Sequence, residues 1–248
     1  MLAVLLAALC PPQQVPAARF AAGEVLVYKL DALGADVGTF EVRAESPPAS
    51  ERSRAAIQLS SRVKTSAFVS TNLGRYETYA TALIGRDFAP LHYREDVDEN
   101  DVHRGTEIIF PTQSGPPAVK ATRNGEPEAL SLQMDRAVRD IISTLYLLRL
   151  LPLQQPVCLE VFATRKVWKL TGQMAAKESI DTPIGRFATL RFDGEAVRSD
   201  DPRIRRSAHV WVTDDDRRLP LVAIGDVRGK TIRAQLVSAP GIRRAARK

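Results

Sequence analysis

Asp96, Asp98, Asn100 and Glu107 fall at the first, third, fifth and twelfth positions of a single window. That spacing places oxygen ligands around calcium in a helix–loop–helix site. The sixth position, where the sharp turn needs glycine, is Asp101, and both flanks read as strands. The window is therefore an acidic, solvated hairpin turn first and a metal candidate second. His92, His103 and His209 have no second His or Cys at ligand spacing, so zinc is not indicated. His209 alternates onto the face of Trp211 and reads as a strand residue holding one hydrogen bond. Asp214-Asp215-Asp216 before Arg217-Arg218 reads as a turn stapled by Asp–Arg pairs, since neighbouring strand carboxylates face opposite ways. No nucleophile elbow, phosphate loop or dinucleotide fingerprint occurs, and no carboxylate pair stands out. The expectation is a protein with no catalytic residues and no cofactor, with a hydrolase built on unrecognised carboxylates as an outlying alternative.

The first residues suggest export. Leu2 to Leu9 is a short apolar run, and Val15-Pro16-Ala17-Ala18 resembles a cleavage site cut after Ala17 or Ala18. No Lys or Arg precedes the run, which fits a true start upstream of Met1. The run falls short of the roughly 20 apolar residues that span a bilayer, and no later segment reaches that length. Lipid anchoring through Cys10 is disfavoured by Leu9, where a small residue is wanted, so Cys10 should leave with the leader. Cys158 then stands alone between Val157 and Leu159 and reads as a buried small hydrophobe.

The chain has 248 residues, 44% hydrophobic and 26% charged, which excludes disorder and fibrous architectures. Its net charge of +6 reads first as a solvated basic surface and second as attraction to an anionic partner such as a lipid headgroup or another envelope component. Nucleic acid is not expected. The basic residues form short scattered clusters, including Arg243-Arg244 and Arg247-Lys248, and aromatic content is only 6%, with no stacking platform.

Stepping out to the elements, short alternating segments separated by Gly, Pro, Asn and Asp read as strands. They span 24–30, 37–44, 56–63, 75–83, 90–96, 106–110, 157–163, 166–176, 187–195, 208–213, 219–227 and 231–237. Residues 118–130 read as a hairpin closed by Asn124-Gly125. The fold class expected is mainly β: a single wrapped antiparallel sheet, an open or half barrel. One segment differs. Asp140 as N-cap, the apolar run Ile141 to Leu151 and Pro152 beyond it predict one helix over Asp140–Leu151. Because it is apolar nearly all round, it should be buried against the concave face of the sheet. Its odd residue, Arg149, calls for an ion pair with a carboxylate or helix-end carbonyls, or else would hold an anionic headgroup. Tyr146, Arg149, Trp168 and Trp211 are the candidate ligand-binding residues. The expected domains are a signal peptide (1–17), one β-rich domain (18–240) and a basic flexible tail (241–248).

Four ordered segments carry a resemblance. They are Gly23-Glu24 with Leu26, Tyr28 and Gly38; Asp140 to Arg149 with Pro152-Leu153; Thr182 to Phe187; and Val210 to Asp215 through Arg218-Leu219-Pro220. Together they resemble the domain of unknown function 3108 family from about Gly23 to Leu236; Gln154-Gln155-Pro156 departs where that family usually carries a Gly. The resemblance implies an exported, periplasmic envelope protein of Gram-negative bacteria with no established catalytic residues. It also implies a shape similar to the half-barrels that carry lipids or lipoproteins. The expected function is non-enzymatic binding of a lipid-like or other apolar envelope ligand in a cleft between sheet and helix. The alternative is a structural or interaction module that binds an envelope protein through a strand edge.

Overall fold

The computed structural model describes residues 22–111, 115–134, 138–227 and 229–239; the leader and basic tail read from the sequence lie outside them. The strands are β1 (Glu24–Ala32), β2 (Ala35–Glu45), β3 (Ala55–Thr65), β4 (Tyr76–Gly85), β5 (Pro90–Glu99), β6 (Val102–Ile109), β7 (Ala118–Arg123) and β8 (Glu126–Pro127). They continue as β9 (Arg139–Asp140), β10 (Pro156–Ala163), β11 (Lys166–Thr182), β12 (Gly185–Arg198), β13 (Arg205–Thr213), β14 (Pro220–Val227) and β15 (Lys230–Ser238). Helix α1 (Ala67–Asn72) follows β3, and α2 (Ile141–Leu148) follows β9.

All the strands form one 15-stranded sheet in the order β8 to β1, then β15 down to β9. Each half is a meander of neighbouring hairpins, the arrangement that short turns enforce. The first and last strands pair at the centre, Leu30 opposite Ala234. Only the β9–β10 pairing is parallel among the described strands.

Register sorts the side chains. Ala44, Leu59, Ala82, Tyr93 and Ile108 lie opposite one another across β2 to β6 and are all buried. In the other half Ala223, Val210, Phe192 and Met174 continue the inner face across β14 to β11. Beside them runs a row of very small residues, Gly225, Ala208, Gly194 and Gly172. Small inner side chains let a sheet curl tightly without crowding its concave side. The curl brings the two ends of the sheet together. Phe162 of β10 meets Tyr93 of β5 edge to face at 5.9 Å, and Arg139 donates to the Phe88 carbonyl. Strand β10 consequently buries Val157, Leu159 and Val161 on one face and Phe162 on the other, where Cys158 and Glu160 stay half-buried.

Helix α2 starts as expected. The Asp140 carboxylate accepts the Ile142 and Ser143 N–H groups at 2.9 Å and a hydrogen bond from the Ser143 hydroxyl. It ends at Leu148, three residues before the predicted Leu151. Arg149 and Leu150 donate to the carbonyls three residues back, tightening the last turn, and Pro152 disfavours a helical Leu151. Ile142, Tyr146, Leu147 and Leu148 are buried against β3, β4 and β10, whereas Ile141 is 49% exposed. Because Asp140 is itself buried, Asp140→Ala is expected to destabilise the protein by about 2 kcal/mol, the upper end for a lost N-cap. Equilibrium urea unfolding, with Asp140→Asn as the milder companion, measures it.

Three departures have local causes. Helix α1 escapes a periodicity search because its apolar Phe68 faces solvent. The β11–β12 hairpin extends to Thr182 and Gly185, since its outer half alternates polar residues that carry no apolar signal. The Asn124-Gly125 turn forms with both residues at positive φ, but β8 lasts only two residues and the chain then leaves the ladder.

Candidate functional site

At the start of β1, Glu24 faces inward, and the end of α2 delivers Arg149 to it. Arg149 Nη1 and Nη2 donate to the two Glu24 oxygens at 2.6 and 3.0 Å. Nη2 also donates to the Arg217 carbonyl and Nε to the Arg218 carbonyl, at 3.0 and 3.1 Å. The guanidinium carbon lies 4.9 Å from the Tyr146 ring centre, and the Tyr146 hydroxyl donates to Glu24 at 3.0 Å. Burial pushes the Tyr146 and Tyr28 hydroxyls far above the ordinary tyrosine range, so both stay protonated donors. This cluster ties β1, α2 and the β13–β14 turn together. It contains the ion pair expected of Arg149, whereas the carbonyls that Arg149 holds belong to the β13–β14 turn and not to the helix end.

The two tryptophans sit elsewhere. Trp168 is buried, donates to the Ala163 carbonyl at 3.2 Å and carries the Arg206 guanidinium 4.5 Å above its ring. Trp211 is half-buried on the opposite face from Val210 and Val212 and donates to Glu178 at 2.7 Å. Arg191 bridges Glu178 and Asp193, and His209 bonds Asp193 at 2.7 Å, the satisfied strand histidine that alternation implied. Tyr146 and Arg149 converge, but the tryptophans do not join them.

The four residues of the weaker calcium reading lie along the β5–β6 hairpin that is the first reading of this window. Asp96 and Asp98 project from the outer face of β5, Asn100 caps the Arg75 N–H from a turn, and Glu107 on β6 bonds His92. A hairpin ladder spreads these oxygens along its length instead of curling them round an ion. Asp96 and Asp98 instead help line an open outer trough of about 540 Å³ with Glu41, Arg62, Glu77 and Tyr79. The Asp215 turn differs in detail from the Asp–Arg staple: its carboxylate accepts the Arg217 and Arg218 backbone N–H groups and the Thr213 hydroxyl.

A site that the sequence did not signal lies where the sheet ends meet. Thr164 and Arg165 form the β10–β11 turn, both at positive φ, and send the Arg165 side chain back towards β5. Its Nη1 donates to Glu128 at 2.8 Å, while Nε and Nη2 are buried with no hydrogen-bond partner among the described residues. Those two nitrogens share one edge of the planar guanidinium, the edge that grips carboxylates and phosphates side-on. Facing this region on β5 is Glu95, opposite Ala80, and the diagonal neighbour Thr78 has a buried hydroxyl that also lacks a partner. Burial raises the Glu95 pKa, opposed by the Tyr93 hydroxyl and the Arg165 charge. A carboxyl whose folded pKa is raised contributes stability at low pH that is lost as pH climbs through that pKa. Glu95→Gln should therefore match the native protein near pH 4 and exceed it in stability at neutral pH. Denaturation midpoints across that range test this, and equal pH slopes for both proteins would overturn it. Nothing in a two-residue Thr-Arg turn marks the arginine as buried, which is why the site was invisible in sequence.

Cys158 lies half-buried on the face of β10 opposite Val157 and Leu159, and it is disulfide-bonded. Its half-burial departs from the sequence reading of a fully buried small hydrophobe. Intact mass before and after reduction reads the state of Cys158 in the exported protein.

Comparison with solved structures places the fold. A β-barrel-like DUF1849 protein from Brucella abortus aligns over 87% of this chain and 96% of its own, with TM-score 0.59 and 11% identity. A protein described as exported, with a YmcC-like fold, from Bacteroides fragilis aligns over 91% and 99% at TM-score 0.38 and 8% identity. One described as a lipoprotein from Parabacteroides distasonis aligns over 88% and 95% at TM-score 0.35 and 8% identity. No curated protein sequence matches the chain. The family of proteins of unknown function DUF3108 matches residues 26–235, from within β1 to within β15, and the chain belongs to that family.

Proposed function

We propose that this chain is a non-enzymatic, exported envelope protein that binds a lipid-like ligand with an anionic head group. Its site is the seam between the sheet ends and not the α2 end, where Arg149 is already committed to Glu24. The observation that carries the reading is the buried Nε/Nη2 edge of Arg165, which has no acceptor among the described residues. Buried guanidinium donors are costly without an acceptor, and a carboxylate or phosphate would supply two at once. The surrounding core, including Tyr93, Phe162 and Val167, would take the apolar part of such a ligand. The structural likeness to a β-barrel-like protein supports an enclosing shape only, and function does not follow from fold.

Native mass spectrometry of protein purified from the periplasm tests the proposal. The expected result is a co-purifying anionic amphiphile whose occupancy drops by about tenfold in Arg165→Met, equivalent to about 1.4 kcal/mol. Unliganded protein, or equal occupancy in the variant, would sink it. A second reading rests on β7, whose outward neighbour is only the two-residue β8. An unpaired strand edge can accept a partner strand. A stoichiometric envelope protein without lipid would favour that reading.

A further inference from the structure

We propose that the rim carrying the β1–β2 turn and α1 docks onto a bilayer surface rich in anionic lipid. Leu33 is fully exposed at the tip of the turn, and Phe68 and Leu73 on and beside α1 are 69% and 75% exposed. The two connections are neighbours. Ser66, the N-cap of α1, donates its N–H to the Val37 carbonyl at 3.0 Å and its hydroxyl to the Asp36 carbonyl at 3.1 Å. Three large apolar side chains therefore sit on connections at one held edge. Separate exposed tips suit the headgroup–acyl boundary, where each can bury its own apolar surface.

Charge selects the kind of surface. At the β1–β2 turn the charges are used locally: Asp31 accepts the Gly34 N–H, and Asp36 accepts the Gly38 N–H while pairing with Lys29. At α1 two cations are not. Lys64 and Arg75, flanking α1, are exposed and take part in no ion pair among the described residues. Beside the Leu33 turn, Lys29, Asp31, Arg233 and Gln235 line an open outer groove of about 350 Å³. Apolar tips flanked by Lys64, Arg75 and Arg233 complement anionic headgroups, and each basic residue near such a surface adds to the attraction.

The inference is independent of any ligand in the seam, so Arg165→Met should dock like the native protein. Flotation of the full chain with phosphatidylethanolamine vesicles, with and without phosphatidylglycerol, tests it. The expected result is co-flotation that depends on phosphatidylglycerol and falls by about tenfold or more in Leu33→Ser/Phe68→Ser/Leu73→Ser. Lys64→Glu/Arg75→Glu should lose the preference for anionic vesicles. All these positions are exposed, so unchanged thermal melting of the variants confirms that folding is intact. Native protein that floats with neither vesicle, or a triple variant that floats like it, would overturn the proposal. So would a protein partner that requires the three tips in the absence of flotation.

Discussion

Glu24→Ala is expected to destabilise the protein by about 3–5 kcal/mol, the cost of breaking a buried ion pair from one side. The Arg149 side chain is 3% exposed and Glu24 11%, so neither charge can turn to water when its partner is lost. The variant would leave the guanidinium with two backbone carbonyls and the Tyr146 face, and would strip the Tyr146 hydroxyl of its acceptor. In a chain of this size such a loss lowers Tm on the order of 10 °C. Arg149→Lys keeps the charge but not the side-on fork, so it should fall between the native protein and Glu24→Ala. The double variant Glu24→Gln/Arg149→Met should cost less than the sum of its single changes, because no uncompensated charge remains. Urea unfolding of the native protein, Glu24→Gln, Arg149→Met and the double variant reads the cycle. Additive losses would show that the two residues stabilise the fold separately, contrary to the geometry.

Gly172→Ala should be at least as damaging, for a steric reason. A Cβ there would stand 2.4 Å from the Asp193 carbonyl oxygen and 2.7 Å from the Gly194 Cα, both backbone atoms of the paired strand. Backbone held in a ladder cannot step aside, so the β11–β12 pairing itself must open. Overpacking of this kind costs about 1–3 kcal/mol where side chains can adjust, and more where they cannot. Gly194→Ala meets the Phe192 ring first, at 2.5 Å, and the Thr171 carbonyl oxygen at 2.9 Å. Shrinking that ring in Gly194→Ala/Phe192→Leu should therefore recover part of the lost stability. The same Phe192→Leu change should help Gly172→Ala less: the Phe192 ring lies 2.7 Å from that Cβ as well, but the Asp193 carbonyl oxygen at 2.4 Å is the tighter contact and stays. Thermal melts of the four variants distinguish the cases, and equal rescue in both would contradict the assigned contacts.

The contrast between these residues shows where the sequence was readable. Most strands announced themselves through period-two alternation, because one face of each is buried and the other solvated. Asp140 announced α2 because an N-cap is a local hydrogen-bonding arrangement, completed within three residues. Arg149 was legible as a charge needing a partner, but its partner was not, since Glu24 lies 125 residues away. The small row of Gly172, Gly194, Ala208 and Gly225 looked like scattered glycines and alanines until register set them side by side. Arg165 was silent for the same reason: its turn is ordinary, and only the meeting of the sheet ends buries it.

By itself, then, the sequence determined the wrapped antiparallel sheet, the capped apolar helix and the absence of a familiar catalytic motif. These depend on alternation, capping and turn chemistry, which act over a few neighbouring residues. Tertiary structure alone decided which charges are paired, which guanidinium edge is left without an acceptor, and which apolar tips stay in solvent. Those outcomes depend on burial and on distances between residues far apart in the chain, and both are set only when the curl of the sheet closes its two ends on each other.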